Sequence, residues 1–200
     1  MMRSLVFACL AIFAAPVAAQ EVHPVDGTPL AADQSFSYAI PAQFPSLDPQ
    51  LIQGVIASQI ANQIYEPLVR QAPDGSPAPG VAARWISEAD RVWTFELRDD
   101  ARWSNGDPVT AEDFAHAWRR AADPATGSPY AWYVELAAIE NAAAVIAGDA
   151  PTDALGVEVL DAHTLRVTLD RPVAHLPGML SYATFMPVHR PTLAAHGDGW

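Results

Sequence analysis

The sequence is poor in residues that cross-link a chain or carry reactive groups. Its 200 residues contain one cysteine, Cys9, and no lysine, because all 11 lysine-plus-arginine positions are arginine. A single cysteine cannot close a disulfide within the chain, so we expect the fold to depend on a hydrophobic core. We interpret the absence of lysine as a bias of genomic composition.

Positive charge is scarce as well. The 23 acidic residues outnumber the 11 basic ones, and the formal net charge is −12. A surface of this sign repels phosphate backbones and anionic headgroups. The composition therefore disfavours nucleic acid and anionic lipid as partners.

Catalytic and metal-binding motifs are also missing. The six histidines show no His-x-x-x-His spacing, and the chain has neither a Gly-x-Ser-x-Gly elbow nor a phosphate-binding glycine loop. The acidic pair Glu112-Asp113 suits the first turn of a helix, and Asp99-Asp100 suits a solvated turn. We therefore expect no enzymatic activity, no metal ion and no cofactor.

Residues 1–19 have the layout of a cleavable secretory signal. Arg3 precedes an apolar run, and Val17-Ala18-Ala19 places small residues before a predicted cut at Gln20. The apolar run is shorter than the roughly 20 residues of a spanning helix. Cys9 has too few apolar residues before it for a lipoprotein signal. Cleavage would remove Arg3 and Cys9, moving the formal charge from −12 to −13.

Apolar periodicity predicts the elements of the first third. Alternation predicts a strand through Phe36, Tyr38 and Ile40. After Gly54, isoleucines four residues apart predict a helix that Pro67 ends. Residues 71–80 contain three prolines and two glycines, which predicts a turn-rich loop. The isoleucines of the helical stripe are Ile56, Ile60 and Ile64.

The remaining chain alternates strands and helices. Trp93, Phe95 and Leu97 predict one face of a strand, and Thr110 with Asp113 predicts a capped helix. A second helix is predicted from about Tyr133 to Ala147, and a short one after Pro191. A hairpin is predicted from 157–160 and 164–169. The fold class expected from this order is α+β with short antiparallel strands. The expected aromatic core comprises Trp85, Trp93, Trp103 and Trp118, with Phe95 and Phe114.

One segment resembles a known family. Residues 93–114 read WTFELRDDARWSNGDPVTAEDF, and further matching motifs are Ser46-Leu47-Asp48-Pro49 and Ser128-Pro129-Tyr130. The pattern resembles the peptide-binding class of bacterial extracellular solute-binding proteins, family 5, the oligopeptide- and dipeptide-binding components of ABC importers. The resemblance covers nearly all of residues 36–200.

The resemblance implies a two-lobed periplasmic-binding-protein fold, class II-like with an extra subdomain. Residues 20–65 and 191–200 would belong to the main first lobe, and residues 66–190 would form the extra α+β subdomain. Because the family's chains are much longer and this one stops on a loop at Trp200, we expect a fragment that holds part of the first lobe.

The resemblance also implies a ligand site. Gln53, Gly54 and Val55 match a ligand-lining segment, Tyr130 matches a residue that faces the ligand, and Tyr182 matches a pocket residue more weakly. Gln53 departs from the acid common at its position in oligopeptide binders. Two alternatives also stay open: Val55 as a core residue and Tyr130 as a structural tyrosine.

The expected function is that of a periplasmic monomer that captures peptides, of the oligopeptide class, and delivers them to an inner-membrane ABC permease. The alternative within the family is a binding protein for a non-peptide ligand: an opine, a nickel chelate or haem. An exported hydrolase or a chaperone-like protein is the alternative from another class.

Overall fold

A computed structural model describes residues 46–197 continuously, together with residues 22, 27–31, 33, 35, 37 and 39. The chain divides into two units, residues 1–39 and 40–200. In the first unit, Val22 and Pro29 form an isolated antiparallel bridge. The predicted secretory signal, the predicted strand through Phe36, Tyr38 and Ile40, and Trp200 lie outside the described residues.

The second unit mixes short helices with antiparallel strands, which confirms the predicted α+β class. Residues 152–154 and 183–185 form single 3-10 turns. The helices are α1 (Gly54–Ile64), α2 (Ala111–Ala122), α3 (Ala131–Leu136), α4 (Ala142–Ala147), α5 (Leu176–Met179) and α6 (Arg190–His196), and the strands are β1 (Val69–Gln71), β2 (Pro77–Pro79), β3 (Ala82–Glu88), β4 (Val92–Leu97), β5 (Val157–Asp161) and β6 (Thr164–Thr168).

Four strands form one antiparallel sheet in the order β3-β4-β6-β5. Trp93, Phe95 and Leu97 alternate with half-buried residues along β4, so one face of the strand is buried as predicted. The predicted hairpin is also confirmed, because β5 pairs with β6. Leu165 and Val167 of β6 are fully buried. The inward faces of these strands supply the core.

Helix α2 covers that core. Its first turn has the predicted capping box: the Thr110 backbone N–H donates to the Asp113 carboxylate at 2.8 Å. Phe114 and Trp118 are both fully buried, which confirms that they share the inward face. The Trp118 indole N–H donates to the Phe185 carbonyl at 2.8 Å. The predicted aromatic core is confirmed, with Trp85 and Trp103 packed at its partly buried edge.

The predicted helix from Tyr133 to Ala147 is wrong in one respect, because α3 and α4 are separate. Ala138 and Asn141 adopt left-handed φ angles of 58° and 64°. Between them the backbone pairs with the end of β6: the Glu140 N–H donates to the Thr168 carbonyl at 2.9 Å, and Ile139 bridges Leu169. These long-range hydrogen bonds replace the helical ones.

Two local predictions need similar correction. Residues 71–80 belong mainly to a hairpin in which Val69 faces Pro79 and Gln71 faces Pro77, and proline is tolerated on such a two-stranded edge. Helix α1 forms where predicted, but its fully buried residues are Ala57 and Ala61. Its isoleucine stripe is instead half-buried, and Ile64 is 54% exposed.

A buried ion pair joins the start of the second unit to α2. The two terminal guanidinium nitrogens of Arg120, Nη1 and Nη2, donate to the Asp48 carboxylate at 2.8 and 2.6 Å. Gln50 accepts a bond from Arg120 at 3.0 Å and donates to the carbonyls of Thr184 and Met186 at 3.2 and 3.1 Å. One network therefore connects three segments that are distant in sequence.

Within the described part of the chain, no helix combines the length and apolar character that crossing a membrane requires.

Replacing Arg120 with methionine should destabilise the protein by about 3–5 kcal/mol, because Asp48 would be left buried without its counter-charge. The matched control is Arg166→Met, which breaks an exposed 3.2 Å pair with Glu158 and should cost about 0–1 kcal/mol. Urea unfolding of the protein expressed from its full reading frame would measure both. Equal losses in the two variants would contradict a structural role for the buried pair.

Candidate functional site

The first predicted site segment lies at the start of α1. Gln53 is the N-cap residue and is exposed, and its side chain makes no capping hydrogen bond. Gly54 has a φ of +83°, a left-handed conformation that glycine adopts without strain. Val55 is 72% exposed, so its alternative interpretation as a core residue is wrong for the described chain.

Tyr130 joins this segment to α3. It is the N-cap residue of α3, and its hydroxyl accepts a long 3.5 Å hydrogen bond from the Gly54 backbone N–H. Both groups approach from segments that are 76 residues apart in sequence. The structure thus brings together two residues that the resemblance had singled out separately.

Tyr182 completes the group. It precedes the 3-10 turn at 183–185, and its ring meets that of Tyr130 edge-on, with centroids 5.4 Å apart. Three of the five predicted site residues therefore form a contiguous set: Gly54, Tyr130 and Tyr182. Gln53 and Val55 flank Gly54 in sequence and expose their side chains.

Two aromatic residues that the sequence had not singled out belong to the same group. The Tyr133 ring lies 4.7 Å from that of Tyr182, and Trp132 lies 6.0 Å from Tyr130. We call Tyr130, Trp132, Tyr133 and Tyr182 the aromatic cluster. Its sequence signal was the tight spacing of three aromatic residues directly after Pro129, of which only Tyr130 belongs to the family motif.

A cleft of about 530 Å³ opens beside the cluster. It lies within the size range of ligand pockets, roughly 300–1,000 Å³. Its lining combines two aromatic rings, those of Tyr65 and Tyr182, with hydroxyl, amide and charged groups, which suits a ligand that has both polar and apolar parts. Among the lining residues are Ser58, Asn62, Arg70, Gln71 and Tyr182.

Burial and, to a smaller extent, a hydrogen bond with the Tyr130 hydroxyl together raise the pKa of Tyr182 to about 12, while a hydrogen bond with Ser58 acts in the opposite direction. Burial also raises the pKa of Tyr133. Both phenols are therefore neutral at physiological pH, and the cluster offers hydroxyl dipoles and ring faces. In the described residues, no group of three or more His, Cys, Asp or Glu side chains is placed to hold a metal ion.

The family model of the bacterial extracellular solute-binding proteins, family 5 Middle, matches residues 76–200. The periplasmic murein peptide-binding protein MppA of Escherichia coli K12 is 39% identical over the whole chain and 37% of its own length. The probable deoxycholate-binding periplasmic protein YgiS of the same organism is 42% identical over 99% of the chain and 37% of its length.

A solved structure has the same fold. Haemophilus influenzae OppA, in complex with the peptide RPPGFSPFR, superimposes with a TM-score of 0.76 at 42% identity. The match covers 78% of this chain and 30% of that one. The chain thus spans just over a third of the length of the curated relatives described here.

The raised pKa of Tyr182 has a measurable consequence at alkaline pH. Because the folded-state pKa of about 12 exceeds the ordinary value of 10.0, folding favours the neutral phenol. This contribution to stability is fully present below pH 10 and is lost as the pH rises through 12. Burial also raises the pKa of Tyr65 to about 12, so we expect Tyr182→Phe to reduce the amplitude of the late phenolate transition in the ultraviolet absorbance titration by one tyrosine.

The control for that titration is the same protein in denaturant, where all five tyrosines should ionise near the ordinary value. If Tyr182→Phe instead removes a transition near pH 10, the burial argument for this phenol is wrong.

Proposed function

The chain belongs to the bacterial extracellular solute-binding proteins of family 5, and from that membership we propose that it captures peptides and delivers them to an inner-membrane ABC permease. The observation that carries the proposal is the meeting of the Gly54 N–H, Tyr130 and Tyr182 in a fold shared with a peptide-bound relative. The fold is that of part of one lobe of a two-lobed binding protein.

The names of the relatives support a peptide ligand. MppA is named for murein peptide, and the OppA structure holds a nine-residue peptide. The relatives are named as binding proteins, and two of them as periplasmic. We propose the same compartment here, reached through a signal peptide at residues 1–19 that is cleaved before Gln20.

The site chemistry is consistent with an extended peptide. The first turn of α1 has backbone N–H groups without intrahelical partners, and the Gln53 side chain does not cap them. A peptide that binds by main-chain hydrogen bonds needs such donors. We therefore propose that Gln53, Gly54 and Val55 line the ligand with their backbone, while Tyr130 and Tyr182 contact its side chains.

The proposed domain arrangement follows from the family. Residues 20–65 and 191–200 contribute to the main lobe, and residues 66–190 form the extra subdomain. Hinge closure of two lobes around the peptide would produce the form that the permease recognises. We propose that the protein acts as a monomer and not as an enzyme.

A non-peptide ligand is the second candidate, because YgiS is named as a probable deoxycholate-binding protein at comparable identity. The aromatic cluster and the exposed Val55 could also pack against a rigid apolar ring system. Deoxycholate therefore belongs in any test of the ligand.

Calorimetric titration of the protein expressed from its full reading frame with peptides of two to five residues should show binding in the nanomolar to micromolar range. Deoxycholate is titrated in parallel, and the peptides are recovered to check that they are intact. Binding of deoxycholate alone would overturn the peptide proposal. Hydrolysed peptides would instead indicate an enzyme.

A chain restricted to residues 20–200 should bind the same peptides at least about 100-fold more weakly. One wall of a cleft excludes water poorly and leaves some of the peptide's hydrogen-bonding groups without protein partners. Calorimetry measures the difference, with circular dichroism as the control for folding. Equal affinity of the two chains would place the whole site within these residues.

A further inference from the structure

We propose that Trp132 determines ligand specificity by forming an apolar wall for an aromatic side chain of the bound peptide. The proposal rests on the proposed function, because it assigns a subsite beside the residues that would hold the peptide. It concerns a residue that the sequence comparison with the family had not singled out.

The exposure of Trp132 is the first observation. Its side chain is 53% exposed, although tryptophan is the residue with most apolar area to gain from burial. Val134 of α3 is fully buried in the core, so the helix has an inward face that Trp132 does not occupy. No described residue covers this indole fully, so within the described part of the chain it leaves a surface that a ligand can contact.

Continuity with the proposed site is the second observation. The Trp132 ring contacts Tyr130 at 6.0 Å and Tyr133 edge-on at 5.6 Å. Tyr133 in turn lies 5.8 Å from the fully buried Phe185. The indole is therefore held by rings that are anchored in the core, and it extends the surface that begins at Gly54 and Tyr130.

Trp132 also lines a groove of about 420 Å³. Leu136, one helical turn on, continues the apolar wall and is 49% exposed. Glu135 and Asp170 would attract a cationic side chain, but Arg171 lines the same groove and opposes it. Trp132 and Leu136 both leave apolar surface exposed along this groove, and an aromatic side chain buries more apolar area against them than a lysine or arginine head group does.

The experiment compares peptides that differ in one side chain. Tri-alanine, the three tripeptides with a single phenylalanine and the three with a single lysine are titrated into the protein expressed from its full reading frame. We expect one phenylalanine peptide to bind more tightly than tri-alanine. In Trp132→Ala this preference should fall by about 2- to 10-fold, while tri-alanine affinity changes less than about twofold.

Two further variants separate specificity from structure. Trp132→Phe keeps a ring and should retain most of the phenylalanine preference. Ile86→Ala removes a 61% exposed apolar side chain from β3 and should change no affinity. Thermal unfolding of each variant checks that it is folded.

The results distinguish a failure of this proposal from a failure of the proposed function. If no peptide binds the unsubstituted protein, the proposed function fails. If peptides bind but Trp132→Ala leaves the phenylalanine preference unchanged, or weakens every peptide equally, the specificity role is wrong. A preference for lysine peptides that is lost in Trp132→Ala would also overturn the aromatic subsite and indicate a cation-binding one.

Discussion

The ion pair between Asp48 and Arg120 is the constraint on which the described site depends. Its two side chains are 7% and 12% exposed, so both charges have left water and each requires the other. Arg120 lies in α2, which is anchored to the core by Phe114 and Trp118. Asp48 therefore holds the segment that leads into α1 against a rigid helix.

The same network reaches the far side of the site. Gln50 donates to the carbonyls of Thr184 and Met186, which lie shortly after Tyr182 in the chain. The ion pair and this amide thus position the first turn of α1 and the Tyr182 segment relative to each other. Tyr130 contacts both, through the Gly54 N–H and through the Tyr182 ring. A long 3.5 Å contact of this kind needs such support, because it contributes little orientation of its own.

Sequence patterns predicted elements well where the pattern and the packing agreed. The capping box at Thr110 and Asp113 and the alternation along β4 both express interactions that act within a few residues, and both are confirmed. The predictions failed where long-range contacts opposed the pattern. The chain from Ala138 to Asn141 pairs its backbone with the end of β6, which broke the predicted helix. In α1 the small alanines allow close approach of the backbone, so they are buried in place of the isoleucines.

The sequence by itself determined the α+β class, the capped helix, the main hairpin and the family, because these follow from local periodicity and from a long contiguous motif. It also pointed to Gly54, Tyr130 and Tyr182, although only as separate positions. Tertiary structure alone decided that these residues meet, that Asp48 pairs with Arg120, and that Trp132 stays exposed beside them. Such contacts join segments more than 50 residues apart, and their geometry depends on how the core packs between them, which no local pattern encodes.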